Sequence, residues 1–207
     1  MGEHTFLVTK QPVHRVPKTK ANELENGCYF YMAEVHVFGQ IRCASGFREH
    51  RIACKWKLSY GNNWKAVEGL TEGLTQLDNA QSGFTSFLCH PIDVHFLTSG
   101  LQGWPKFQFE VWQEDSYGRS SPAGYGFLHL PATPGRHEIQ CLTWRPVGRL
   151  TDEVTSIFTS AGLRLEETDI LSQGTDRFRL QTESAGSLFL SIYLITRNFD
   201  RFGIEIA

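Results

Sequence analysis

The stretch Ile52-Ala53-Cys54-Lys55-Trp56-Lys57-Leu58-Ser59-Tyr60 decides the fold. Ile52, Cys54, Trp56, Leu58 and Tyr60 occupy every second position, with Ala53, Lys55, Lys57 and Ser59 between them. Side chains along a strand point alternately to its two faces, so this spacing predicts a half-buried strand. A helix would need its apolar positions three and four apart. Trp56 is in phase with Ile52, Cys54 and Leu58 and belongs to the expected core.

The same pattern spreads in both directions. Upstream, Ala33 to Ile41 alternates; downstream, Ile92, Val94 and Phe96 follow Pro91, and Phe107, Phe109 and Val111 follow Pro105. Gly124 to Leu130 reads as a Gly- and aromatic-rich strand whose glycines allow close backbone approach or a bulge. Arg136 to Leu142 follows the turn Pro134-Gly135. Arg177 to Glu183 and Ser187 to Thr196 flank Ser184-Ala185-Gly186, which reads as a hairpin connection. One helix is expected, capped by Thr151, carrying Leu150, Val154, Ile157 and Phe158 on one face and stopped by Gly162. Many short strands with one short helix describe an all-β antiparallel sandwich over residues 33–207. Residues 1–32 have no period and read as a flexible N-terminal extension; Met32, directly before the first strand, has the position of an alternative start.

Composition narrows the function classes. The 207 residues suffice for one well-filled domain, and 41% hydrophobic with 20% charged residues is ordinary for a globular chain. A net charge of −2 argues against nucleic acid as the main ligand. No apolar run reaches the length of a membrane span, and Phe6-Leu7-Val8 is too short for a secretory core. Cys28, Cys43, Cys54, Cys89 and Cys141 are odd in number and scattered without a C-x-x-C pair, which points to a reduced, cytoplasmic compartment.

Catalytic signatures are missing from the sequence. It has no G-x-S-x-G elbow, and neither Gly69 nor Gly73 opens a phosphate loop. In His90-Pro91-Ile92-Asp93-Val94-His95, a strand would put Asp93 and His95 on one face and His90 on the other, and two ligands do not complete a zinc sphere. Glu166-Glu167 and Asp152-Glu153 read as solvated charge. No enzyme activity, cofactor or metal is expected.

An ordered set of segments carries a resemblance. Gly103-Trp104-Pro105, Asp115-Ser116-Tyr117-Gly118-Arg119, Gly124 to Pro131 and Pro134-Gly135-Arg136-His137 together resemble the B9 domain, over about residues 33–207. Met32-Ala33-Glu34-Val35-His36-Val37, His90 to Asp93, Thr143-Trp144-Arg145-Pro146 and Arg197 to Gly203 resemble one member in particular, which begins at the position of Met32. The resemblance implies a divergent C2-type sandwich. It also implies a subunit of the tectonic-like complex, which forms a diffusion barrier between ciliary and plasma membranes at the transition zone and supports cilium assembly. The implied partners are other B9-domain proteins, the tectonic-like complex subunits and γ-tubulin. The implied places are the basal body, centrosome and axoneme. In a C2 domain the calcium loop reads D-x-D after a strand like Val111-Trp112; here Gln113 stands at the first position and Asp115 alone at the second, so the loop is expected to be calcium-silent.

Five residues stand out as partner contacts. Trp112 is out of phase with Phe107, Phe109 and Val111 and shares a face with Gln108 and Glu110, as a partner surface or a second packed layer. On the last strand Leu188, Leu190, Ile192 and Leu194 form one face, and Phe189, Tyr193 and Ile195 load the other. That fits a buried central strand or a strand whose outer face meets a partner. Arg197 and Arg201 in the ending complete the set. The alternative function is a calcium-independent lipid- or glycan-binding module using Lys55 and Lys57. Two basic residues contribute only ~2 kcal/mol at an anionic leaflet, so membrane contact is weak and comes only through the assembly.

Overall fold

In the computed structural model, residues 32–80, 84–147 and 181–200 are described. The N-terminal extension, the expected helix at 151–162 and Arg201 lie outside them. The described chain forms ten strands: β1 Ala33–Ser45, β2 Arg51–Ser59, β3 Trp64–Gly69, β4 Glu72–Leu74, β5 Asp78–Asn79, β6 Thr85–Thr98, β7 Lys106–Glu114, β8 Ser120–His129, β9 Gly135–Pro146 and β10 Thr182–Arg197. Neighbours follow the order β3-β6-β1-β10-β9-β8-β7-β2-β4, with β5 beside β2 and every pairing antiparallel. The β8–β9 link rests on the single pair Tyr125↔Trp144. There the path folds back into two layers, β3-β6-β1-β10-β9 and β8-β7-β2-β4.

Alternation fills the space between the layers. Val35, Val37 and Ile41 from β1, Ile92, Val94 and Phe96 from β6, and Leu188 to Leu194 at every second position of β10 are buried in one cluster. They share it with Ile52, Cys54, Trp56 and Leu58 of β2 and Phe107, Phe109 and Val111 of β7. Burying each large side chain contributes about 1.5–3 kcal/mol, which offsets the entropy of ordering the chain. Tyr60 lies beyond β2 and is partly exposed, its ring edge-on to Phe96 at 5.1 Å. Gly124 and Gly126 make room for β9, as a Cβ on Gly126 would lie 3.0 Å from the Cys141 sulfur.

Two expectations are corrected. Ser184-Ala185-Gly186 is no hairpin turn, because β10 runs straight through it and pairs with β9 on both sides of a bulge. The glycine serves close approach: a Cβ on Gly186 would lie 2.5 Å from the Phe47 ring, and Thr143 donates its hydroxyl to the Gly186 carbonyl at 2.6 Å. Gln108 and Glu110 do not form an open outer face, being only 3% and 4% exposed.

Strand β1 is the axis of the larger layer, pairing with β6 on one side and β10 on the other. Gly39 lies at φ 156°, and a Cβ there would sit 2.1 Å from the Ser191 carbonyl oxygen. Gly39→Ala is therefore expected to cost about 2 kcal/mol or more, read as a lower denaturation midpoint. An unchanged midpoint would show that the two strands part at no cost.

Candidate functional site

Of the two outward faces, the one on β3-β6-β1-β10-β9 displays the unusual side chains. Since β1 sends Val35 and Val37 inward, it sends Glu34, His36 and Phe38 out. Register places them in rungs. One rung is Arg136, Tyr193, Phe38 and Asp93 across β9, β10, β1 and β6. Beside it lies Ile195, His36, His95 and Glu68, and then Arg197, Glu34, Leu97 and Lys65. Farther along, Gln140, Phe189, Cys43 and Phe87 make another rung.

The centre of this face is aromatic. Phe38 and Tyr193 stack with centroids 5.2 Å apart and planes at 8°. The Arg136 guanidinium lies over the other side of Tyr193, 5.8 Å from its centroid. His36 touches Phe38 at 5.7 Å and His95 at 5.5 Å, so the ring contacts continue from β10 through β1 to β6. Tyr193 is 36% exposed and Ile195 54%, with Phe87 and Leu142 more open still. Such a patch has the make-up of a partner contact, with an aromatic centre and charges around it.

The charges hold fixed positions. Glu138 accepts from Arg136 Nε at 3.1 Å, from Ser191 at 3.0 Å and from Arg42 at 3.0 Å. These donors, Arg136 first, hold its carboxyl down to about 2, against 4.5 ordinarily. Asp93 meets His36 Nε2 at 2.7 Å; Glu34 lies 3.6 Å from His95 and 3.8 Å from Arg197.

The five expected contact residues do not form one surface. Phe189 is half-buried on this face, opposite Cys43 and Gln140; Tyr193 stands at its centre and Arg197 at its end. Trp112 belongs to the other layer, half-buried opposite Ala53 and Pro122. Phe38 and Arg136 were missed. In the sequence Phe38 is merely one of several apolar residues at the end of an alternating run, and only pairing with β10 reveals the stack.

The loop after β7 is committed to its own turn. Asp115 Oδ1 accepts from the amides of Tyr117 and Arg119 at 2.9 Å each, and Oδ2 takes Arg119 Nε at 2.7 Å. The Arg119 amide leads in lowering the Asp115 carboxyl below its ordinary range. Beside Gln113 lies a cleft of about 270 Å³, also lined by Arg48, Arg145 and Glu183. Arg145 pairs with Glu183, and Arg48 stands 3.8 Å from the same carboxylate. Two guanidiniums around one carboxylate disfavour a calcium ion.

The sequence profile described as ciliary basal body-associated, B9 protein (B9-C2) matches residues 35–195. B9 domain-containing protein 2 of Homo sapiens is 49% identical over 174 residues, covering 84% of this chain and 99% of that protein. The protein of the same name from Danio rerio is 45% identical over 174 residues, with the same shares, 84% and 99%. Among solved structures, a C2 domain of plant extended synaptotagmin 1 is similar at a TM-score of 0.40 and 13% identity, covering 81% of this chain and 97% of that domain.

Glu138 provides a pH test. Its carboxyl is lowered on folding, so the stability it contributes is present above about pH 4.5 and lost as pH falls toward 2. The melting temperature should fall more steeply across that window in the wild type than in Glu138→Gln. Parallel curves would show that the Arg136–Glu138–Ser191 contacts do not form in solution.

Proposed function

The chain belongs to the B9-C2 family of ciliary basal body-associated proteins, and from that premise we propose that it is a non-catalytic subunit of the tectonic-like complex at the ciliary transition zone. In this reading it contributes to the diffusion barrier and to cilium assembly by holding other B9-domain proteins. The observation that carries the mode of action is the exposed Phe38–Tyr193 stack beneath Arg136.

That face suits binding for physical reasons. Stacked aromatics present a rigid apolar area whose side-chain entropy is already restricted, so little more is lost when a partner covers it. The rim charges Arg136, Glu138 and Arg42 are preorganised by one another. Charges held in this way choose between partners more than they add affinity. In the other layer, Lys55 and Lys57 of β2 are exposed and leave the lipid-binding alternative testable with anionic vesicles.

The experiment compares Tyr193→Ala and Phe38→Ala with the wild type in ciliated cells. Each variant should keep its melting temperature within a few degrees. Each should lose tenfold or more of the co-precipitated B9 partners, since removing a central interface residue costs about 2 kcal/mol or more. Full capture by both folded variants would move the contact surface elsewhere.

A further inference from the structure

The outward face holds a second constellation that partner binding does not account for. His36 and His95 are directly opposed on β1 and β6, and each ring nitrogen meets a carboxylate diagonal to it. His36 Nε2 is 2.7 Å from Asp93 Oδ1, His95 Nε2 is 3.6 Å from Glu34 Oε2, and the two ring centroids are 5.5 Å apart. Along β6 alone, Asp93 and His95 are two donors and fall short of a site. The register of β1 brings in two more.

We propose that Glu34, His36, Asp93 and His95 form a binding site for a divalent transition-metal ion, with Zn²⁺ as the best fit. Among the described residues no three His, Cys, Asp or Glu side chains converge on one point as they stand. The distances are nevertheless close to those the ion needs. Zn–N bonds of about 2.0–2.1 Å in a tetrahedron put two bound imidazole centroids about 5 Å apart, near the 5.5 Å between His36 and His95. Two ligand atoms of one such ion lie about 3.3 Å apart, so the His36–Asp93 contact has to widen by only about half an ångström. His95 binds through the ring nitrogen not turned to Glu34. Glu34 then accepts the remaining N–H of His95 and fixes its ring, the usual part of an outer carboxylate at a zinc histidine.

Charge and access favour the same occupant. Glu34, Asp93 and the neighbouring Glu68 set three carboxylates around the two rings, against Arg197 beside Glu34 and Lys65 one rung away. A divalent cation offsets that excess. The Asp93 and His36 side chains are 74% and 45% exposed, so an ion can enter from solvent and keep an outward coordination position open. Two imidazoles with a carboxylate suit zinc, and also copper or nickel, rather than calcium or magnesium.

The test uses the full chain, stripped with a chelator that is then removed, and titrated with zinc chloride by calorimetry. Co²⁺ absorption serves as the coordination probe. One Zn²⁺ should bind per chain, and Co²⁺ should give the strong visible bands of a tetrahedral site. His36→Gln, His95→Gln and Asp93→Asn should each weaken binding tenfold or more, whereas Cys43→Ser with Cys89→Ser should leave it unchanged. Asp93 is exposed, so Asp93→Asn decides the matter even if a histidine variant misfolds. Absence of heat and of Co²⁺ bands at 100-fold excess of metal would overturn the proposal. Binding by Asp93→Asn and the histidine variants equal to that of the wild type would overturn it too, by placing the ion on other donors.

Discussion

Everything on the larger layer depends on the register of β1 between β6 and β10. Side-chain direction in a strand alternates, so a slip of one residue would carry His36 and Phe38 into the core and Val35 and Val37 into solvent. Two features prevent the slip. Gly39 sits where β10 approaches too closely for any side chain, and the irregularity between Ile41 and Cys43 appears in the pairing with both neighbours. The Phe38–Tyr193 stack and the opposed histidines are consequences of that one register.

The two outward faces have different characters. On the smaller layer, Gln108, Glu110 and Tyr125 are buried, and Trp112 sits half-buried among its neighbours. On the larger layer, Tyr193, Ile195 and Phe87 remain exposed around a centre already fixed by stacking. An exposed apolar residue is ordinary by itself; a rigid aromatic group bordered by interlocked charges is not. The face that carries the chain's binding chemistry is therefore the one organised by β1 and β10.

Much of the architecture was legible in the sequence because alternation is a local signal. Trp56, Phe107, Phe109 and the inward leucines of β10 all lie where period two puts them. The edge strands β3, β4 and β5 escaped notice, since they are short and largely exposed, and an exposed edge needs no apolar alternation. The Ser184–Gly186 bulge reads as a turn in the sequence because glycine serves both, and only the pairing partner distinguishes them. Phe189 and Tyr193 could be assigned to an outer face from phase, but their neighbours Cys43 and Phe38 are far away in the chain. The histidine pair was invisible for the same reason, as it is made by two strands and neither half is unusual alone.

The central claim is that the outward face of β9-β10-β1-β6 is where this B9-family chain meets its partner. Hydroxyl-radical footprinting read by mass spectrometry, on the chain alone and in complex with a second B9-domain protein, tests it most directly. Oxidation of Phe38, Tyr193 and Ile195 should fall severalfold in the complex, while Tyr117, Leu70 and Leu74, which are exposed elsewhere, should be labelled as before. Unchanged labelling of Phe38 and Tyr193 together with protection of Leu70 and Leu74 would contradict the account and move the interface to the β3–β4 edge.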